Sequence, residues 1–366
     1  MKRTNTAQWV EKAGRWQINV QKDGVRKTFT SAKPGRTGQK EANAKADRWL
    51  DDGIENTKIK VKQASIEYIN HLKASTSQSN WRQCDTLFRV WINPCIGNVK
   101  VIDLTSKRLQ DVIDRAYKNG KLAKKTLINL RACLMSFIKY CRMDKLTTLF
   151  PEGLTIPKGA KAAERTILQP THLQMLFKND TTIYYGKEIK DPFINAYRFQ
   201  ALTGLRPGEL CGLKWSDIKN GSVYLRRSIN TYGEITTGKN QNASRNFTLN
   251  IFTNKVLNAQ KQYLDSKNIS SAYVFPDEHG GVLKSPRYRT RWEAYSNYHN
   301  MPQTTPYELR HTFVSAVKTL PEGYLKQLVG HSKDMDTYGT YAHQINNDAA
   351  NAAELVQNIF RDILAG

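Results

Sequence analysis

Residues 151–165, "PEGLTIPKGAKAAER", interrupt every hydrophobic period in the chain. Two prolines and two glycines in fifteen residues deny a helix its hydrogen bonds and loosen a strand, so the stretch reads as a linker. A chain of 366 residues exceeds the ~250–300 at which single cores stop growing, so its two sides are expected to fold around separate cores.

On the N-terminal side, residues 54–150 are expected to be helical throughout. "VKQASIEYINHLKAS", "NWRQCDTLFRVWINP", "TSKRLQDVIDRAYKNG" and "KKTLINLRACLMSFIKYCRM" all place apolar residues at i, i+3, i+4. Thr105 and Gly120 bracket the third stretch as caps. This predicts a compact four-helix domain whose Lys/Arg-rich exterior is either solvated or holds a phosphate backbone.

Residues 1–53 carry twelve Lys and Arg against six Asp and Glu. Trp16, Ile18 and Val20 alternate with polar residues, "DG" at 23–24 signals a tight hairpin turn, and Val25 and Phe29 continue one face beyond it. With a strand near Trp9–Val10 and a helix bearing Ala42, Ala46 and Trp49 up to Gly53, the expectation is a β-β-β-α unit. Its sheet is expected to present Arg15, Gln17, Asn19, Arg26 and Lys27 to a DNA groove; the plainer alternative is a solvated face.

Residues 166–366 read as α+β and mostly helical. Helices are expected at "LQPTHLQMLFKND" and "DPFINAYRFQALTG", and a short one starts at Pro207. Strand-like "SVYLRRSI" and "EITTGKNQNASRNFTLNI" flank a turn at Tyr232–Gly233 and form one small antiparallel sheet, and helices resume at "TNKVLNAQKQYLDSKN". In the last helix Leu355, Ile359 and Ile363 form an apolar stripe expected to dock on a neighbouring copy, or else on its own domain.

Charge narrows the function. Lys and Arg number 56 against 32 Asp and Glu, a net charge of +24, and such self-repulsion in a compact fold points to a polyanion, most simply nucleic acid. Five scattered cysteines without a CxxC pair argue against a disulfide framework, and neither they nor the seven histidines show metal-ligand spacing. No apolar run reaches ~18 residues, and "MKRTNTAQWV" lacks a signal-peptide core, so an intracellular protein without a membrane partner is expected.

The residues able to do chemistry lie after the linker. "ALTGLRPGELCGLKW" holds Arg206 in a tight turn with Glu209 three residues on; "TTGKNQNASRNFTL" places Lys239 between strands. "TPYELRHTFVS" puts Tyr307 and Arg310 on one helical face, and "LVGHSKDMDTYGTYAHQ" contains His331, Tyr338 and Tyr341. Arginine pairs grip phosphoryl oxygens in a two-pronged manner, lysine or histidine can protonate a leaving oxygen, and a phenol beside cations can attack phosphorus. From the residues alone either Tyr338 or Tyr341 can be that phenol. There is no carboxylate cluster for Mg²⁺ and no GxxxxGK[ST] loop, so no cofactor or metal is expected.

"TGLRPGELCGLKW", "PYELRHTF", "LVGHS" and "TYAHQ", in that order across 203–344, resemble the signature of the tyrosine recombinases, the lambda-integrase-like site-specific recombinases. Among these the chain is similar to integrases of temperate phages and conjugative transposons. The resemblance implies a multidomain, mainly α fold. Residues 1–53 would be an AP2-like arm-type DNA-binding domain, 54–150 a SAM-like helical core-binding domain, 151–165 the linker, and 166–366 an α+β catalytic domain with a small antiparallel sheet. It further implies that Tyr341 is the nucleophile, with Arg206, Lys239, Arg310 and His331 around it, and leaves Tyr338 to packing or DNA contact. Tyr307 stands where the family usually has a histidine, and a phenol is a poor base near neutral pH. His311, next to Arg310, is expected about a quarter-turn away.

The implied activity is DNA recombination: cutting and rejoining of double-stranded DNA at core and arm sites through a 3′-phosphotyrosine and a Holliday junction, by a tetramer of this chain. DNA-bending and excision helper proteins, a mobile element and a bacterial, cytoplasmic, nucleoid-associated setting come with it. The alternatives are a DNA-binding regulator that has lost catalysis, for which Tyr307 would be a first sign, and a type IB topoisomerase.

Overall fold

The computed structural model describes residues 3–22, 24–51, 58–162, 166–236, 245–321, 324, 325, 328 and 348–365. The chain divides into two compact units, Met1–Glu164 and Arg165–Gly366.

The first unit opens with strands β1 (Gln8–Val10), β2 (Arg15–Lys22) and β3 (Val25–Ser31), which form an antiparallel sheet in that order, followed by helix α1 (Gly35–Asp51). Ile18 and Val20 from β2 meet Ala42, Ala46, Trp49 and Leu50 of α1 in a small core, against which Trp16 and Phe29 also pack. Directly opposed residues of neighbouring strands share a face. Ile18 pairs with Phe29 and Val20 with Lys27, whereas Gln17 pairs with Thr30, Asn19 with Thr28 and Gln21 with Arg26. Arg15, Gln17, Asn19 and Arg26 therefore share the outer face. Lys27 does not: it lies on the helix side, its ammonium 5.5 Å from the Phe29 ring centre and 5.8 Å from that of Trp49. The expectation that Lys27 faces DNA with the others is corrected by the strand's period of two. Gly53 lies outside the described residues.

A second core in this unit gathers α2 (Val61–Ser75), α3 (Gln78–Leu87), α4 (Asn93–Ile96, reached from α3 through a π turn), α5 (Ser106–Gly120) and α6 (Lys124–Met143). Thr105 caps α5, its hydroxyl accepting from the Arg108 amide at 3.3 Å. Gly120 does not cap the other end: Lys121 takes the left-handed conformation, φ 45°, at that place. Gly120 is glycine for another reason, since a Cβ there would stand 2.3 Å from the Trp91 ring.

The proline-containing stretch is a second correction. Leu154, Ile156 and Ala160 pack on the helical core. Gln110 exchanges hydrogen bonds with both backbone groups of Thr155, 2.9 and 3.1 Å, and the Lys124 amide donates to the Lys161 carbonyl at 2.9 Å. At least 151–161 is thus strapped to α5 and α6. Leu154, Ile156 and Ala160 are separated by even steps, which is how an extended segment buries one side.

In the second unit α7 (Pro170–Lys178) leads into a hairpin, β4 (Thr181–Tyr184) and β5 (Lys187–Lys190). Helix α8 (Ile194–Thr203) follows, buried all round except at Arg198. Then come α9 (Pro207–Gly212), β6 (Ile218–Lys219), β7 (Ser222–Leu225), β8 (Ser228–Ile229), β9 (Ile235–Thr236) and β10 (Arg245–Thr248). Helices α10 (Ile251–Ser266), α11 (Ser285–Tyr298), α12 (Pro306–Ala316) and α13 (Asp348–Ala365) complete it. The expected single sheet is three among the described residues: β10-β7-β6, β8-β9 and β4-β5. "SVYLRRSI" is two strands in two sheets, because Arg227 folds back onto Asp217 and the Gly212 carbonyl and turns the chain between them.

Helix α13 docks on its own domain. Ala352, Ala353, Val356 and Phe360 are buried, Phe360 lies parallel to Phe313 with 6.1 Å between ring centres, and Gln174 donates to the Ile363 carbonyl at 2.8 Å. Ile359 and Ile363 border this face and Leu355 is exposed, so the stripe packs in part on its own domain, the alternative the sequence left open. Phe360→Ala should lower the stability of this unit by about 3–5 kcal/mol, while Leu355→Ala should stay within ~0.5 kcal/mol. Thermal unfolding of the two variants checks this, and the reverse order would mean that the outer stripe carries the packing.

Candidate active site

Two arginines bond one carboxylate in the second unit, and a third is fixed to the same turn. The first is set by a turn between two helices. α8 ends at Gly204, φ 62°, a left-handed position where a Cβ would also sit 2.4 Å from the Phe313 ring. Only glycine satisfies both demands. Two residues later Arg206 is the extended residue before α9, with Pro207 in the first turn. Glu209, at the third helical position, reaches back to accept the Arg206 amide at 2.9 Å and its Nη1 at 2.7 Å. This holds Arg206 at the head of the helix.

α12 supplies the second arginine. Its N-terminus is closed by Thr305 and Glu308, the Thr305 amide donating to Glu308 at 2.8 Å. That aims Arg310 inward, where it is buried and its Nη1 donates to the Gly204 carbonyl at 2.7 Å. The turn that carries Arg206 and the helix that carries Arg310 are thereby joined at Gly204.

The third arginine was not singled out from the sequence. Arg245, the first residue of β10, is buried to 8% side-chain exposure and donates Nη1 and Nη2 to the two Glu209 oxygens at 3.1 and 3.0 Å. Its Nε donates to the Leu328 carbonyl at 3.1 Å. A lone arginine in a strand leaves no periodic trace; the only usable signal was Glu209, a carboxylate in an otherwise apolar helical turn that needed partners.

The charges feel one another. Burial first, then Arg206 and Arg245, pull the Arg310 guanidinium down to about 10, still protonated near neutrality. Burial pushes the Glu209 carboxyl up, but Arg245 and then Arg206 outweigh it and hold it below the usual carboxylate range. Three guanidinium groups around one carboxylate leave an excess of positive charge suited to an oxyanion with several acceptor oxygens.

Tyr307 sits one turn before Arg310, 43% exposed, with its ring edge-on to His311 at 5.1 Å between centres. The i, i+4 relation thus brings His311 against Tyr307 rather than toward Arg310. Lys239, His331, Tyr338 and Tyr341 lie outside the described residues. Arg15, Gln17, Asn19 and Arg26 are gathered on the N-terminal sheet, where Thr28 donates to the Asn19 side chain at 2.6 Å. Among the described residues no three His, Cys, Asp or Glu groups could hold a metal ion, and no helix is long and apolar enough to cross a membrane.

Comparison with known proteins bears on the family and the fold. Residues 169–347 match the phage integrase family. Over 98% of this chain and 99% of its own length, a tyrosine recombinase XerC-like protein of Caldanaerobacter subterraneus subsp. tengcongensis is 23% identical. Residues 169–347 are a phage integrase family domain, and the chain is a tyrosine recombinase. The integrase of Staphylococcus phage L54a is 21% identical to this tyrosine recombinase over 82% of the chain and 88% of its own. Among solved structures, the Tn1549 transposon integrase in complex with transposon right end DNA superimposes with a TM-score of 0.66 at 19% identity, covering 81% of this chain and 99% of that one. A lambda integrase tetramer bound to a Holliday junction gives 0.56 at 16% identity, covering 92% and 95%. The fold of this recombinase is therefore that of the multidomain integrases, as its motifs implied.

The Gly204 junction yields a direct test. Gly204→Ala incurs a left-handed penalty of roughly 1–2 kcal/mol and a clash with Phe313 besides. Thermal unfolding should show the loss, and a variant as stable as the parent would mean that the turn can relax without it.

Proposed function

We propose that this protein is a site-specific DNA recombinase that cuts and rejoins strands through a covalent 3′-phosphotyrosine. The observation that carries the reading is the half-exposed Arg206 held with the buried Arg245 and Arg310 about the single buried carboxylate Glu209, in a chain of net charge +24. In this reading Tyr341 Oη attacks a scissile phosphorus and displaces the 5′-oxygen. Arg206 and Arg310 neutralise charge growing on the non-bridging oxygens. Lys239 delivers a proton to the leaving 5′-oxygen, His331 supports the transition state, and Tyr307, in the usual histidine's place, donates a hydrogen bond to the phosphate. One phosphate ester replaces another, so no nucleotide is consumed. The 5′-hydroxyl of a partner strand reverses the step and passes through a Holliday junction.

Four copies on two DNA sites would complete the exchange, in line with the lambda integrase tetramer on a Holliday junction. DNA-bending and excision helpers, and work on chromosomal DNA in the cytoplasm, belong to the same proposal. Neither the silent regulator nor the type IB topoisomerase is favoured, since relatives matched over nearly the whole chain are named recombinases and integrases.

The decisive experiment is adduct formation on a nicked duplex spanning the crossover site, located by footprinting DNA that flanks the protein's own gene. Tyr341→Phe should abolish the adduct and keep DNA affinity within about twofold, because one oxygen is lost and the binding charge stays. Tyr338→Phe should form it normally. A dead Tyr338→Phe beside an active Tyr341→Phe would reassign the nucleophile.

We also propose that residues 1–53 bind a second, distal DNA site through the outer sheet face. Arg26→Ala should weaken binding to that site and reduce its salt slope by about one, whereas Lys27→Ala should chiefly destabilise the module, because its ammonium covers Phe29 and Trp49. Filter binding across salt concentrations separates the two, and an equal loss of affinity would put both residues at the DNA.

A further inference from the structure

We propose that Arg245 is a positioning residue for this reaction: its guanidinium locks the Glu209 carboxylate, and through it holds Arg206 in the orientation that grips the scissile phosphate. The inference rests on the strand-exchange reading above.

The hydrogen bonds carry it. Glu209 Oε1 accepts from Arg206 Nη1 and Arg245 Nη1, at 2.7 and 3.1 Å. Oε2 accepts from the Arg206 amide and Arg245 Nη2, at 2.9 and 3.0 Å. Four donors fill the roughly four acceptor directions of a carboxylate, so the group cannot turn without losing bonds. The two-pronged grip on it belongs to Arg245, while the Arg206 side chain reaches it through Nη1.

Take Arg245 away and the geometry changes in a definite direction. Glu209 stays buried and charged but loses two donors. Its nearest remaining cation is Arg206, which it can then draw into a two-pronged pair of its own. A guanidinium engaged that way is turned from a phosphate in front of it. Arg245 therefore works by occupying the competitor. Its third bond, to the Leu328 carbonyl, fastens β10 to a further segment of the same unit.

The test compares two nicked duplexes of the mapped crossover site with full-length protein. One has an ordinary scissile phosphate; in the other a non-bridging oxygen is replaced by a methyl group. The methyl removes the charge that Arg206 would neutralise, so a misplaced Arg206 matters less there, whereas a general structural defect slows both. Single-turnover cleavage is measured for the parent, Arg206→Ala, Arg245→Ala and Arg245→Lys, with DNA affinity and thermal unfolding alongside.

Arg245→Ala should cleave the phosphate on the order of 10–10²-fold more slowly, with affinity within about twofold, and the deficit should shrink on the methylated duplex as it does for Arg206→Ala. Arg245→Lys keeps the charge without the fork and should fall between. Equal slowing on both duplexes, or no slowing, overturns the proposal. If Arg245→Ala does not fold, Arg245→Lys carries the same comparison. A parent protein that forms no adduct overturns the strand-exchange reading and this proposal with it, whereas a parent adduct with equal deficits overturns this proposal alone.

Discussion

The hydrogen bonds of Glu209 are the interaction on which the arginine cluster of the second unit depends. A carboxylate at 4% exposure would ordinarily take up a proton or avoid the interior. Here two guanidinium groups reach it, and the carboxyl is held ionised against burial. The attraction works both ways. Without that one negative charge, Arg206, Arg245 and the buried Arg310 would repel one another in a medium of low dielectric; burial first, and then that repulsion, lower the Arg310 value. The arrangement tolerates its excess charge because it is braced.

The backbone around it is built for the same end. Gly204 lets α8 stop abruptly and turn under Phe313, and its carbonyl takes the Arg310 side chain. Glu209 and Glu308 each close the N-terminus of a short helix by bonding back to an amide, so Arg206 and Arg310 project from fixed helix starts rather than from loops. The all-buried α8 lies behind both. In the first unit one face of the N-terminal sheet closes on α1, and the other carries its polar side chains.

Much of this was legible in the chain. The period of two in "GRWQINVQKDGVRKTFT" and the 3.6-residue spacing of the helical stretches placed most elements, because local burial on one face is written directly into that spacing. The Arg206–Glu209 contact was readable as an i, i+3 pair at a helix start. Errors came where two periods compete or where a residue serves a distant neighbour. The 151–161 strap buries residues separated by even steps and was read against a helical standard. Gly120 has the composition of a cap but yields its space to Trp91. The hairpin β4–β5 lies in "TTIYYGKEIK", whose alternation is weak on both faces.

What the sequence by itself determined is where most helices and strands lie and the mainly helical, multidomain character of the chain. Local spacing and composition suffice for these. Only the tertiary structure decided which face of β3 holds Lys27, that the buried side of α13 runs through Val356 and Phe360, and that Arg245 shares Glu209 with Arg206. Each depends on a register or a pairing between segments far apart: Arg245 and Glu209 are separated by 36 residues, and Phe313 and Phe360 come from different helices. Such pairings are set by how whole faces pack, and a face has no partner until the chain has folded.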